Sequence, residues 1–351
     1  MTQELLYDRH VRYFKMVLTA LPSRLQSEAS NKLMIMYCAI GGLGILDYKF
    51  TQDEIKLYTE YVYSLLVPSG EGFRGSHIHE LSSSEYDRPT IANTYCALCI
   101  LTMLGDDFHT RLDSELIMSY VSRCQLADGS IKSLLDSTGE PCGEGDLRQS
   151  YMAVSICQLL KYKGPNRIDL DKLESYIMSK RTFDGGLGEF ESHAGYTFCG
   201  LATLKLMDRL ELRNWTKTIQ WLVHRQISFT NWNQDLLEYE DCDIDDVGSH
   251  NGRINKLGDT CYSFWCSASL AILEAQQFVN RDAMESYLLS KTQSTVIGGF
   301  GKTDQHTSSP DPYHSFLALS ALSLMSEETK LQAVNPMLVV TQDAYDRLSN
   351  S

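Results

Sequence analysis

The sequence has too few basic residues to present a cationic surface to nucleic acid. Its 351 residues include 31 Lys and Arg against 45 Asp and Glu, which gives a formal net charge of −14. Nucleic-acid binding requires a basic surface that displaces counterions from the phosphates. The chain also lacks any apolar run of about 20 residues, the length that a membrane-spanning helix needs. We therefore expect neither a nucleic-acid partner nor a membrane span.

Two further absences favour a cytoplasmic location. Residues 1–13 carry early charges and no apolar signal core, so we expect no export. The ten cysteines lie mostly within apolar helical patterns; Cys96 and Cys99, for example, lie one helical turn apart. This placement is typical of reduced core cysteines in a cytosolic protein.

Sustained alternation of apolar and polar residues, which would predict strands, is nearly absent. Instead, a Gly-rich turn followed by an apolar helix rich in small residues returns along the chain. These helices are predicted at residues 36–43, 95–101, 151–157, 197–202, 262–265 and 314–319. More polar, amphipathic segments separate them, as expected for stacked helical hairpins. We predict an all-α fold: one domain over residues 1–351, an α/α toroid (barrel) of about six hairpins with inner and outer helix rings.

One acidic stretch interrupts the repeat. Residues 235–246 contain seven carboxylates and few apolar residues, so we interpret residues 235–251 as an acidic surface insertion. Within it, Asp243-Ile244-Asp245-Asp246 resembles the acid motif of class II terpene cyclases, which also use α/α barrels. A proton-donating Asp needs an apolar setting that raises its pKa, and this loop is hydrophilic. The hydrophilic loop weighs against this role, but because the barrel fold is shared, a terpene cyclase is kept as an alternative.

The densest chemistry lies in residues 252–265, where a loop becomes a helix. Asp259 and Cys261 flank one residue just after Gly258. Alone, the pair is more typical of an N-cap Asp followed by a core Cys than of a metal site. His314 occupies the matching place one repeat later, so two neighbouring inner helices would bring three ligands to one rim. Asp, Cys and His together suit zinc, and three protein ligands leave a fourth position for a substrate.

Basic residues precede several of the predicted inner helices. They are Arg253 and Lys256 in one loop, His193 in a second and Arg148 in a third. Each alone is typical of a solvated charge, although helix N-termini add their own affinity for anions. Four of them at one rim indicate a clamp for a diphosphate.

Taken together, these residues resemble the β subunits of the heterodimeric protein prenyltransferases, and most closely the type I geranylgeranyl branch. The motifs that carry the resemblance are Gly252-Arg253-x-Asn255-Lys256, Asp259-x-Cys261-Tyr262-Ser263-Phe264-Trp265, Glu191-Ser192-His193-x-Gly195 and His314. The resemblance extends from about residue 8 to about residue 340 and implies the α/α barrel.

The resemblance implies a zinc-dependent protein geranylgeranyltransferase type I. Asp259, Cys261 and His314 would hold zinc, and the cysteine thiol of a C-terminal CaaX motif, with Leu preferred last, would attack geranylgeranyl diphosphate. Tyr262 and the four basic residues would stabilise the departing diphosphate. Lys302 falls where farnesyl enzymes carry a magnesium-binding Asp, so magnesium should be dispensable. The expected partners are an α subunit and CaaX proteins such as Rho-type small GTPases.

The resemblance also implies which residues contact the prenyl donor. The set comprises His193, Ala194, Gly195, Arg148, Arg253, Ile254, Asn255, Lys256, Tyr262, Ser263, Phe264, Trp265 and Met34. Met34 falls where a bulky Trp blocks the tunnel in farnesyl enzymes and a small Thr opens it in geranylgeranyl enzymes. Met is intermediate and flexible, so the longer tail should fit, and some farnesyl transfer is compatible with it. A protein farnesyltransferase β subunit is an alternative within the same family, the terpene cyclase is the runner-up enzyme of the same barrel class, and a non-enzymatic helical scaffold is a further alternative.

Overall fold

The fold is almost entirely helical. The structure, a computed structural model, describes residues 4–21, 23–78, 87–165, 167–228, 244–305, 308–325 and 330–350. Within these ranges the α-helices are α1 (Tyr7–Thr19), α2 (Lys32–Ile45), α3 (Gln52–Ser64), α4 (Ile91–Leu104), α5 (Ser114–Arg123), α6 (Leu147–Leu159), α7 (Leu170–Ser179), α8 (Ala194–Leu206), α9 (Thr216–Val223), α10 (Thr260–Ile272), α11 (Arg281–Tyr287), α12 (Pro312–Met325) and α13 (Gln342–Asn350). One antiparallel hairpin pairs β1 (Leu134–Leu135) with β2 (Pro141–Cys142).

The even-numbered helices from α2 to α12 form a closed inner ring. Each contacts the next in sequence, and α12 contacts α2. Small residues permit the close packing: a Cβ atom at Gly41 of α2 would lie 2.5 Å from the ring of Phe316 in α12. These helices are apolar on all sides because they are buried on all sides. The predicted all-α toroid is confirmed.

The outer helices are amphipathic and bury one face each. In α5, for example, Ile117, Met118, Tyr120 and Val121 are buried, while the residues of the opposite face are partly or fully exposed. Asp or Thr caps often start these helices; Thr51 and Glu54 form a capping box at α3. Among the described residues, none of the helices combines the length and apolar content needed to cross a membrane.

The glycine turns between outer and inner helices fix the repeat. Gly129, Gly185, Gly248 and Gly298 all have φ between 80° and 106°. A Cβ atom at any of them would lie between 2.1 and 2.8 Å from backbone atoms of another outer helix, which shows how tightly each turn packs against it. The last of the four, Gly298, lies against the Arg9 carbonyl of α1, so these turns connect the outer helices from α5 through α11 to α1.

The predicted acidic insertion, residues 235–251, extends too far toward the C-terminus. Residues 229–243 lie outside the described residues, so most of the acidic stretch is not described. The segment from Asp246 to Gly252, however, is mostly buried. Ser249 and His250 are buried, and His250 pairs with Gln226 in an antiparallel bridge. Gly248 makes this segment a repeat turn equivalent to those at Gly129 and Gly185. The charges before it obscured that turn in the sequence.

A belt of aromatic rings lies on the inner helices, four or five residues after the first residue of each helix. Neighbouring ring centroids lie 4.7 to 5.8 Å apart along Phe316, Tyr37, Tyr95, Tyr151, Phe198 and Trp265. The hydroxyls of Tyr37 and Tyr95 donate to the carbonyls of Val339 and Leu338 at 2.7 and 2.9 Å. The C-terminal segment is therefore bonded to the inner ring.

Candidate active site

Side chains at the N-termini of the inner helices are held by helix capping. Asp259 accepts from the Cys261 N–H at 2.9 Å, and Asp146 accepts from the Arg148 N–H at 2.9 Å. His193 caps α8 through Nδ1, which accepts from the Gly195 N–H at 3.1 Å. Each cap satisfies a backbone donor that the helix leaves free. The same bonds orient the polar groups toward one rim of the ring.

The structure brings Asp259, Cys261 and His314 together. One ligand atom from each residue lies within 4.8 Å of the others. His314 Nε2 lies 3.3 Å from Asp259 Oδ1, and all three side chains are largely buried. Two of them begin α10 and the third begins α12, the adjacent inner helix. The ligands predicted from the sequence therefore meet at one point, although Cys261 and His314 are 53 positions apart in the chain.

A second carboxylate, which the sequence analysis missed, orients His314. Asp311 Oδ2 lies 2.6 Å from His314 Nδ1, and Asp311 Oδ1 accepts from the His314 N–H at 2.9 Å. This arrangement directs Nε2 toward Asp259, in the way that carboxylates commonly orient a metal-binding histidine. An Asp directly before Pro312, the first residue of α12, is a helix-start signal that could have identified it.

The protonation of this cluster fits a site for a cation. Burial opposes charge on His314, but its bonds to Asp259 and Asp311 outweigh burial and raise the pKa of His314 to about 9. Burial and the charge of Asp259 raise the pKa of the Cys261 thiol well above its ordinary value. Burial would also raise the pKa of Asp259, yet the bond to His314 lowers it. A divalent ion would replace both protons, and O, S and N donors together suit zinc.

Metal affinity is therefore expected to depend steeply on pH. Binding displaces one proton from His314 and one from Cys261, so the apparent affinity should rise about a hundredfold per pH unit near neutrality. Chelator competition between pH 6.5 and 8.5 measures the slope. In Asp311→Asn, His314 loses one carboxylate, so the slope should fall toward about tenfold and the affinity by about 10–100-fold. An affinity independent of pH would contradict the assignment.

The predicted cations reach the same rim, but most are already paired with carboxylates. Arg253 Nη1 lies 2.7 Å from Glu191 Oε1, and Lys302 Nζ lies 3.7 Å from Asp259 Oδ2. Arg148 bonds Asp146 through Nε and Nη2 and also reaches Glu144 at 2.8 Å. Because two carboxylates hold Arg148, it is a weaker member of the predicted clamp than Arg253. The exposed side chain of Lys256 lies in the same loop as Arg253.

His193 is a neutral hydrogen-bond donor and not the cation that the sequence suggested. Burial and the nearby charge of Arg253 lower the pKa of His193 to about 4. Since Nδ1 accepts from backbone N–H groups, the proton lies on Nε2, which is 3.1 Å from the Tyr262 hydroxyl. Tyr196, which the sequence analysis did not single out, packs 4.9 Å from His193 and bonds Asp146.

Gly252 connects the loop that contains Arg253 and Lys256 to the start of α8, next to His193. Its carbonyl accepts from the Ala194 N–H at 2.9 Å, at the first residue of α8. A Cβ atom at Gly252 would lie 2.1 Å from the ring of Tyr262. In the same loop, Asn255 adopts a φ of 57° and Ile254 is half exposed. The loop therefore lies directly against Tyr262.

The apolar and small residues predicted to contact the prenyl donor divide into two groups by their exposure. Trp265 is half-buried: its ring lies 4.7 Å from that of Phe198, and its Nε1 donates to the Tyr313 hydroxyl at 3.3 Å. Met34 and Gly195 are also half-buried. Ala194, Ser263 and Phe264, in contrast, are fully buried, because they point into the packing between helices. In this conformation these three side chains have no surface to offer a substrate.

Three comparisons place the chain among known proteins. Residues 5–340 match the prenyltransferase α/α toroid domain. The chain is 31% identical to the geranylgeranyl transferase type-1 subunit beta of Arabidopsis thaliana, over 92% of this chain and 85% of that protein. It superposes on Candida albicans protein geranylgeranyltransferase-I, solved with GGPP, at a TM-score of 0.91 and 36% identity, covering 99% and 98% of the chains. A type II terpene cyclase from Scytonema shares the fold alone, at a TM-score of 0.53 and 11% identity over 91% and 98%.

Proposed function

Because this chain belongs to the prenyltransferase α/α toroid family, we propose that it is the catalytic β subunit of a zinc-dependent protein geranylgeranyltransferase type I. The reaction transfers a geranylgeranyl group from its diphosphate to the thiol of a C-terminal CaaX cysteine, with Leu preferred in the last position. The observation that carries the proposal is the convergence of Asp259, Cys261 and His314 within 4.8 Å. We further propose that residues 1–351 form one domain and that an α subunit completes the enzyme.

Asp259, Cys261 and His314 would hold the metal, with Asp311 fixing the orientation of His314. A bound zinc ion supplies positive charge that lowers the pKa of the substrate thiol, so that a thiolate is present at neutral pH. Because the three ligand side chains are largely buried, few water molecules can compete for the metal. The substrate cysteine approaches from the rim, where the N-termini of α10 and α12 meet.

The residues of the proposed diphosphate clamp, together with Tyr262, act on the leaving group. A bond forms between the thiolate sulfur and C1 of the prenyl donor, while the C1–O bond breaks and its electron pair leaves with the diphosphate. His193 donates from Nε2 and Tyr262 from its hydroxyl, a pair already aligned at 3.1 Å. Arg253 exchanges Glu191 for a phosphate oxygen, and Lys256 and Lys302 add positive charge. With Lys302 in this role, magnesium is not required.

The alternatives receive less support. The terpene cyclase would need a buried, proton-donating Asp at residues 243–246 that faces the inside of the ring. Asp245 is exposed and pairs with Lys291. Asp246 is buried, but it lies two residues before Gly248, in the turn that packs against the outer helix α11. A farnesyltransferase would carry the same ligands and would differ in the tunnel for the prenyl tail, which Met34 is proposed to border. A scaffold without chemistry leaves the buried Asp259–His314–Asp311 arrangement without a role.

The test is a transfer assay on the heterodimer with an α subunit. Labelled geranylgeranyl and farnesyl diphosphates are offered separately, at equal concentration, to a peptide ending in CaaL. Peptides ending in CaaS and SaaL are the controls for the last residue and for the thiol. We expect geranylgeranyl transfer to CaaL to be fastest, with none to SaaL. Faster farnesyl transfer would favour the farnesyl alternative, and no transfer by a zinc-loaded complex would overturn the proposal.

A further inference from the structure

A short segment joins the two helix ends that carry the candidate metal ligands. We call residues 299–302, which follow the last glycine turn, the crossbar. On the α10 side, the Thr260 N–H donates to the Lys302 carbonyl at 2.8 Å, and Thr260 Oγ1 donates to the Gly301 carbonyl at 2.7 Å. Thr260 lies between Asp259 and Cys261. The crossbar therefore bonds directly to the residue that separates two of the ligands.

The crossbar bonds to α12 as well. The Phe300 N–H donates to Ser315 Oγ at 2.8 Å, and the Phe300 carbonyl accepts from the Asp311 N–H at 3.3 Å. Ser315 follows His314 directly, and Asp311 orients its imidazole. The α10 end is bonded to Gly301 and Lys302, and the α12 end is bonded to Phe300. A change in the conformation of the crossbar would therefore change the distance between His314 and the two ligands at α10.

His10, on the outer helix α1, supports the crossbar from behind. Its Nδ1 accepts from the Gly299 N–H at 2.9 Å, and its ring stacks on Phe300 with centroids 4.8 Å apart and 4° between planes. Its Nε2 lies 2.8 Å from Gln293 Oε1, which also accepts from the Leu6 N–H. His10 is fully buried, and burial lowers its pKa to about 4. The imidazole is thus neutral, with Nδ1 fixed as the acceptor.

There is little room for the crossbar to move independently of α1. A Cβ atom at Gly298 would lie 2.3 Å from the Arg9 carbonyl and 3.0 Å from the His10 nitrogen. One at Gly299 would lie 2.9 Å from the Tyr13 ring and 2.8 Å from Ser315 Oγ. These contacts show that the turn is pressed between α1 and α12.

We propose that His10 is a positioning residue for the metal centre: through Gly299 and Phe300 it fixes the crossbar that sets the spacing between the ligands on α10 and His314 on α12. This inference rests on the proposed metal site. It assigns to α1 a role in the geometry of residues about 250 to 300 positions away in the chain.

The two hydrogen bonds of His10 can be separated by substitution. Asn places its carbonyl oxygen near the position of Nδ1, so His10→Asn retains an acceptor for Gly299. Gln reaches the position of Nε2 and bonds only Gln293, so His10→Gln loses the bond to the crossbar. Phe14→Leu is the matched control, because Phe14 is fully buried in the same helix but packs on Gly42 of α2.

The experiment measures cobalt binding by the metal-free heterodimer of each variant. Co²⁺ alone is the probe, and its visible absorption with a thiolate ligand reports the geometry of the site. We expect His10→Gln to weaken cobalt binding by about 10–100-fold and to change the absorption band. His10→Asn should stay within about threefold of the wild type. Phe14→Leu should lower the melting temperature and leave both cobalt readings unchanged.

Each other outcome is informative. If His10→Gln lowers only the melting temperature, or if Phe14→Leu weakens cobalt binding equally, His10 is a core residue and the inference is overturned. If the wild type binds no stoichiometric cobalt, both the proposed metal site and the inference that rests on it are wrong. If the wild type binds cobalt and the His10→Gln variant has the same absorption spectrum as the wild type, the inference about His10 is rejected while the proposed metal site stands.

Discussion

Replacing Cys261 with Ala in the heterodimer is expected to remove stoichiometric zinc and to lower prenyl transfer by more than about a hundredfold. Loss of a residue that only hydrogen-bonds a metal ligand typically costs 10–100-fold in metal affinity, and Cys261 would itself be a ligand. The substitution also leaves Asp259 and His314 as a buried ion pair with no third donor. Zinc content by elemental analysis and transfer to a CaaL peptide measure the two effects.

The matched control is Cys266→Ala. Cys266 is fully buried in the same helix, five residues further along, and is not part of the ligand cluster. Both substitutions remove one sulfur from α10, so any general loss of packing should be similar. We expect Cys266→Ala to retain zinc and activity even where its melting temperature falls. Equal zinc content in the two variants would reject Cys261 as a ligand.

Gly252→Ala is expected to lower the rate of transfer by about a hundredfold while zinc content stays at the wild-type level. The added Cβ would overlap the Tyr262 ring, 2.1 Å away, so the ring must leave its position beside His193. Removing one aligned donor to a developing negative charge typically costs about 10²–10³ in rate. Single-turnover kinetics separates this loss from any change in donor binding.

A double-mutant cycle provides the control for this prediction. In Tyr262→Ala the ring is gone, so adding Gly252→Ala should cost little more, and the two losses should be far from additive. If the losses are additive, Gly252 acts through its bond to Ala194 instead of through the Tyr262 ring. A loss of zinc in Gly252→Ala would place its effect on the metal site.

Much of the site could be predicted because it depends on local sequence. Residues at the starts of the inner helices recur with the repeat, and capping preferences identify the helix ends. Once the ring was inferred, Asp259, Cys261 and His314 had to lie on neighbouring helices, and the structure brings them together. The turn at Gly248 was missed because seven carboxylates precede it, and their charge masked the repeat.

The sequence by itself determined the helical repeat, its closed ring and the rim on which the polar residues lie. Periodicity and capping depend on neighbours a few residues apart, so they can be read from the chain. Only the tertiary structure decided which charges remain available: Glu191 pairs with Arg253 across 62 residues, and burial makes His193 neutral. Charge pairing and desolvation depend on distances through space, as does the support that His10 gives to the crossbar.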